Sequence, residues 1–291
     1  VIDSGSTDGS QAIARRYNKV QLLEIPAAEF NHGETRNLGV RECNTEFVVM
    51  TVGDARPVSD QWLSELLKPM ADPDVMAVSG AQVVEHSPET NPAEWFRPVN
   101  EPQVDHFQYS SAEFKNLEPL QLQRAASIDD VSALYRTRAL LELPFRKVTY
   151  GEDMCWGFAA LKAGYKLAFN PAGRVFHYHV ENYETTVKKS IAVFYMRYRM
   201  FRVIPGRERV LKRLLLATRQ TGLSEGLSLL KKGSWVMNNF ECLLGVARGR
   251  ALFSQALSKN ELALEALYNS YCGTPPVPLK APANKLGYVT K

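Results

Sequence analysis

Val1-Ile-Asp-Ser-Gly-Ser-Thr-Asp-Gly-Ser10 reads as the end of a buried strand running straight into a polar, glycine-bearing turn. Gln11 to Tyr17 follow with helical spacing. A strand whose carboxyl end delivers an acid, here Asp3, into a flexible crevice is how an open α/β sheet presents a ligand-binding group. Taken alone, the stretch also satisfies a plain turn and helix cap, because Ser, Thr and Asp all favour those positions. The sequence has no methionine at its start and no strand before Val1, so it reads as a fragment.

Working outward, strand and helix signals alternate. Val20–Ile25, Glu46–Thr51 and Val75–Ser79 are strand candidates, and Gly33–Cys43 and the stretch from Ser59 to Met70 have helical character. This order predicts βαβ units, hence a mostly parallel sheet flanked by helices. Glu85 to Arg124, with five prolines, reads as a long irregular segment. Val131–Arg138 predicts a strand, Gly151–Ala163 a helix, and Lys166–Phe169 and Arg174–Tyr178 two short strands. After Thr185 the period becomes helical: Ile191, Phe194, Tyr195, Tyr198 and Phe201 share one face. Later stripes are Val210/Leu211/Leu214/Leu215, Val236/Phe240/Leu243/Leu244/Ala247 and Leu264/Leu267/Tyr268/Tyr271. The expected organisation is a catalytic-type domain over 1–184, a basic amphipathic helical region over 185–272 and a Pro-rich tail over 273–291.

The 291 residues suffice for a full core. The four cysteines, at 43, 155, 242 and 272, form no CxxC pair, which argues against a zinc site or a disulfide framework and fits a reducing compartment. No apolar run approaches the roughly 20 residues needed to span a bilayer. The net charge of +4 hides an asymmetry: residues 185–250 hold 14 Lys and Arg against three Glu.

Four constellations carry the chemistry. The first is Asp3 with Ser4, Gly5 and Ser6, where a carboxylate can accept hydrogen bonds from a base or ribose. The second is Phe30-Asn-His-Gly-Glu-Thr-Arg-Asn-Leu-Gly39, where Arg36 and Asn37 sit in the first turns of a helix and can serve a phosphate, or equally a cap and a salt bridge. The third is Asp54 in Thr51-Val-Gly-Asp-Ala-Arg-Pro57. An acid there can bind a divalent cation bridging a diphosphate, since Mg²⁺ takes only one or two protein carboxylates; an Asx turn is the plainer alternative. The fourth is Gly151-Glu152-Asp153 at a helix start, followed by Val175-Phe-His-Tyr-His179, whose histidines at i and i+2 point to one face of a strand. Paired acids can simply complement the helix dipole, but with two imidazoles downstream they also fit a metal or acid/base site.

Together these motifs, in this order over residues 1 to 184, resemble an inverting family 2 glycosyltransferase of the GT-A fold, close to the bacterial rhamnosyltransferase-like branch. The resemblance implies a nucleotide-sugar donor, such as dTDP-rhamnose, and a saccharide or lipid-linked saccharide acceptor in bacterial surface polysaccharide synthesis. It implies that Asp3, with Ser4, Gly5 and Ser6, contacts the base or ribose, and that Arg36 and Asn37 lie near the diphosphate. Asp54 would ligate Mg²⁺ or Mn²⁺, joined by His177. Asp153 would be the general base, with Glu152 beside it. Trp95, Trp156 and His179 would face the acceptor. The family's acidic DxD is incomplete here, because Val52 stands two before Asp54. That keeps open a second class, a nucleotide-sugar-binding or scaffold protein without turnover. A Rossmann dehydrogenase is disfavoured by the absence of GxGxxG.

The basic helical end fits either a solvated face packed on the catalytic domain or an anionic membrane surface. Nucleic acid is not expected, because no binding motif occurs and the first part is acidic. The implied location is cytoplasmic, at the inner face of the cell membrane.

Overall fold

The computed structural model describes residues 1–95, 103–206 and 209–273. The chain divides into two compact units, the first formed by residues 1–81 with 103–175, the second by residues 82–95 with 176–206 and 209–273. Most of the Pro-rich tail lies outside the described residues.

In the first unit, β1 (Ile2–Asp3) leads through the Ser4–Gly9 turn into α1 (Ser10–Ala14) and returns to β2 (Leu23–Glu24). β1 and β2 pair in parallel, Ile2 opposite Leu23 and Asp3 opposite Glu24. The helix α2 (His32–Arg41) precedes β3 (Phe47–Thr51), β4 (Arg56–Pro57) and α3 (Trp62–Leu67), and β5 (Val75–Val83) follows. Next come β6 (Asp105–Phe107), α4 (Ser111–Asn116), α5 (Pro119–Ala126), β7 (Ser132–Arg136), α6 (Thr137–Glu142), α7 (Glu152–Lys162) and β8 (Lys166–Phe176).

The main sheet has six strands in the order β3-β7-β5-β8-β4, with β6 added on β8. The expected mostly parallel sheet is not what forms. β7 lies between β3 and β5 and runs antiparallel to both, and β6 runs antiparallel to β8. β3 and β5 thus share a direction, as a βαβ unit requires, but a later strand separates them. Hydrophobic runs report that a strand is buried; its partner is chosen by a chain that returns after about 50 residues and can enter from either end.

Every residue of β7 is buried, as befits a central strand. Its neighbours supply a core of Leu66, Met70, Val75, Val78, Leu134 and Ala168, with Phe47, Val49, Trp62 and Val104 packed against it. Arg136, inside this layer, donates to the Met70 and Val75 carbonyls at 2.9 Å each and to Glu46 at 2.6 Å, so its buried charge is fully engaged.

Two further expectations are corrected. The segment read as irregular holds β6, α4 and α5; Ser110 starts α4 with a reciprocal capping box to Glu113. The two strands expected around Pro171 are one, β8, whose 11 residues continue through Pro171 and Gly173.

The second unit is mainly helical: α8 (Tyr183–Phe201), α9 (Val210–Leu223), α10 (Leu229–Lys259) and α11 (Glu261–Cys272). Of the aromatic face expected from Ile191 to Phe201, Ile191 and Phe201 are buried, and Phe194, Tyr195 and Tyr198 are half-buried against Phe253, Ala256 and Leu264 of α10 and α11. The stripe expected on α9 is split: Val210 and Leu214 are half-buried on the side of the buried Ala217 and Thr221, whereas Leu211 and Leu215 are exposed.

Candidate active site

The first turn is built around one oxygen. Asp3 is buried, and its Oδ1 accepts from the Gly5 and Ser6 backbone amides at 3.0 and 2.9 Å and from Gln11 Nε2 at 2.6 Å. Burial pushes the carboxyl up, but the bonds from Gln11, Ser6 and Gly5 outweigh it and hold it below the usual range. The turn needs glycine at position 5, where φ is 97°, a conformation that costs an L-residue about 1–2 kcal/mol. Ser4 lies half-buried in the same turn. A fixed, ionised carboxylate at the end of β1 is suited to accept bonds from a polyhydroxylated or heterocyclic ligand.

A second cluster gathers residues far apart in sequence. Asn31 caps α2 by accepting from the Glu34 amide, and its own amide donates to the Val148 carbonyl at 2.9 Å. Asn37 is buried one turn further on; its side chain donates to Phe145 O at 2.8 Å and accepts from Phe145 N at 2.9 Å. These two asparagines fasten α2 to the loop before α7. Gly33 allows the contact, since a Cβ there would stand 2.4 Å from Arg146 O.

This docking aims Arg36 at two acids. The guanidinium pairs with Glu152 through Nη1, and its Nε lies 3.1 Å from Asp130 Oδ2. Glu152 opens α7 and is buried; Asp130 sits in the turn before β7 and is 1 % exposed. Asp130 Oδ1 also accepts from the Tyr135 hydroxyl at 2.5 Å. Burial pushes the Asp130 carboxyl up to about 6, against the pull of Arg36 and Tyr135. Asp153 follows Glu152, keeps part of its surface, and accepts from the Met154 amide at 2.7 Å. Burial of its carboxyl, then the charges of Asp130 and Glu152, raise it well above the usual range. His32, in the first turn of α2, is pushed below its ordinary value by burial, against the field of Glu152.

The physical result is a high-affinity proton acceptor beside a fixed ion pair. A carboxylate raised toward the working pH is a stronger base than an ordinary one. Glu152 cannot rotate freely while Arg36 holds it. Sequence reading put Glu152 and Asp153 together; it did not find Asp130 or Tyr135. The available signal was Asp129-Asp130 placed directly before an apolar strand.

The remaining candidates fall elsewhere. Asn37 is committed to the Phe145 backbone, so it positions a loop instead of facing a diphosphate. Trp156 is 1 % exposed and donates to Leu143 O at 2.7 Å; it is core between Tyr135 and Phe145, and the expected acceptor contact does not hold. Asp54 lies half-buried in the turn after β3. In the second unit, Trp95 stacks on His86 at 4.7 Å and donates to Thr90 Oγ1 at 2.8 Å. Also there, the rings of His177 and His179 meet edge to face at 4.6 Å.

The donor chemistry fits a divalent cation. A half-buried carboxylate after a strand suits Mg²⁺ or Mn²⁺. His177 Nδ1 lies 2.8 Å from Gln82 Oε1. A proton on Nδ1 donated to that oxygen leaves the lone pair on Nε2, the tautomer a metal ligand needs.

Residues 1–142 match the family model described as Glycosyl transferase family 2. Over 183 residues the chain is 31 % identical to the O-antigen chain rhamnosyltransferase WbaN of Salmonella anatum, covering 62 % of this chain and 56 % of that protein. Over 186 residues it is 28 % identical to the O-antigen chain rhamnosyltransferase RfbN of Salmonella typhimurium, with the same shares covered. The chain thus spans little more than half the length of the curated relatives it matches. Among solved structures it is similar to the mannosyltransferase PcManGT from Pyrobaculum calidifontis, solved with GDP-Man and Mn²⁺, at TM-score 0.47 and 17 % identity, covering 93 % of this chain and 68 % of that one. It is also similar to S. aureus TarS residues 1–349, at TM-score 0.46 and 11 % identity, covering 88 % and 81 %.

Proposed function

We propose that this chain, whose residues 1–142 match the family model described as Glycosyl transferase family 2, transfers a sugar from a nucleoside-diphosphate donor to a hydroxyl of a saccharide or lipid-linked saccharide, with inversion. The observation that carries the proposal is the placement of Asp153, a half-buried carboxylate in the first turn of α7 beside a buried Glu152 that Arg36 holds; burial and its acidic neighbours raise its proton affinity.

In this reading Asp153 takes the proton of the acceptor hydroxyl as its oxygen bonds to the anomeric carbon. The bond from that carbon to the diphosphate oxygen breaks on the opposite face, and the nucleoside diphosphate leaves with the electron pair. General-base assistance of this kind is worth about 10²–10⁴-fold. Asp3 and its turn hold the nucleoside through the ordered carboxylate. Asp54 offers a carboxylate to Mg²⁺ or Mn²⁺. Such a cation, when bound, offsets negative charge developing on the leaving diphosphate. Arg36 acts by fixing Glu152.

The likeness to two O-antigen rhamnosyltransferases supports dTDP-rhamnose as donor and a growing surface polysaccharide as acceptor. The test is release of dTDP from dTDP-rhamnose by the protein with Mn²⁺ and an O-antigen oligosaccharide. Stereochemistry at the new linkage is read by NMR. Retention of configuration, or no turnover with any nucleotide sugar in the presence of tight donor binding, overturns the proposal; the latter result identifies a donor-binding protein.

A further inference from the structure

The second unit carries a leucine surface that its own core does not use. α9 turns Ala217 and Thr221 inward and leaves Leu211 75 %, Leu215 68 %, Leu216 53 % and Leu223 63 % exposed. α10 then opens with Leu229 and Leu230, exposed by 87 % and 89 %. Lys232 Nζ donates to the Gly222 carbonyl at 2.8 Å, which ties the start of α10 to the end of α9. Leu223, Leu229 and Leu230 therefore gather at one helical-hairpin tip.

The charge around these leucines is one-sided. Residues 210–232 contain Lys212, Arg213, Arg219, Lys231 and Lys232 against the single acid Glu225. Exposed apolar groups in such numbers mark an interaction surface. Leucines interspersed with five bases and one acid match a surface that is apolar in depth and anionic on top. Long basic side chains can lay their stems along the leucines and keep their charges at headgroup level. None of the described helices is long and apolar enough to cross a membrane, so the hairpin would lie on a bilayer.

We propose that the α9–α10 hairpin docks on an anionic lipid surface, its exposed leucines entering the headgroup boundary and its lysines and arginines meeting lipid phosphates. The docking is independent of the transfer reaction and is measured without it. The full chain is sedimented with phosphatidylglycerol-containing vesicles and with phosphatidylcholine vesicles, at low and high salt. Binding is expected only to the anionic vesicles, and weakening with salt. The Leu229→Ser/Leu230→Ser double variant should bind on the order of tenfold more weakly or less. Lys212→Glu, an exposed change that tests charge alone, should lower binding at low salt. Circular dichroism of each variant checks that the helices persist; if the double variant loses them, Lys212→Glu with Leu211→Ser carries the test. Absence of binding at low salt overturns the proposal. So does binding that the leucine and lysine variants leave unchanged. A leucine-dependent self-association without vesicle binding also overturns it, and assigns the surface to a second copy of the chain.

Discussion

Arg36 Nε stands 3.1 Å from Asp130 Oδ2, and the same guanidinium pairs with Glu152. One cation from α2 thus serves two acids that arrive 94 and 116 residues later in the chain. Breaking a buried pair from one side leaves an uncompensated charge, which typically costs about 3–5 kcal/mol. Arg36→Met should therefore lower unfolding stability by about that amount, read from urea denaturation. Arg36→Lys should restore only part of it, because an ammonium cannot reproduce the two-sided fork.

Asp130 gives a pH signature. Its folded value of about 6 lies above the unfolded carboxylate value. The folded protein therefore binds the proton more tightly, and the associated stability is full below about pH 4 and lost as the pH rises through about 6. The span is on the order of 3 kcal/mol. Asp130→Asn should flatten the stability profile between about pH 4 and 6. A profile equally steep in the variant would place the proton on another group.

Asp153→Asn should reduce kcat by about 10²–10⁴-fold, with donor affinity changed little. Isothermal titration with the donor nucleotide separates the two effects. A variant that loses donor binding and keeps its turnover number would move Asp153 out of the base role.

At the first turn, Gly5→Ala should cost about 1–2 kcal/mol, because φ is 97° there. It should also weaken nucleoside binding, since the Gly5 amide helps orient Asp3 Oδ1. Thermal shift with and without dTDP reads both. Loss of stability with nucleotide affinity intact would show that the turn is structural only.

Much of the site was legible because its signals are local. Glycines, acids and caps at fixed offsets announce turns such as 3–9 and helix starts such as 151–153, whatever surrounds them. Asp130 and Tyr135 escaped because the one local signal, paired acids before an apolar strand, fits a solvated strand edge equally well; what sets their environment is Arg36, which only folding brings near. Trp156 misled for the converse reason. An aromatic beside paired acids looks like a sugar platform until its neighbours Tyr135 and Phe145 close over it. The leucines of α9 show the same limit, since a helical period states that one face is apolar and not what covers it.

By itself, the sequence determined many of the strands and helices, though not β4, β6, α4, α5 or α6, and it determined where the glycine-dependent turns fall and which acids open α7. Those properties depend on backbone sterics, capping and hydrophobic period, all set within a few residues. Tertiary structure alone decided that β7 divides β3 from β5, that Asn37 locks the loop at Phe145, and that Arg36 neutralises two buried carboxylates beside Asp153. Such outcomes are set by desolvation and packing between segments some 90 to 120 residues apart, and they exist only once the chain has closed on itself.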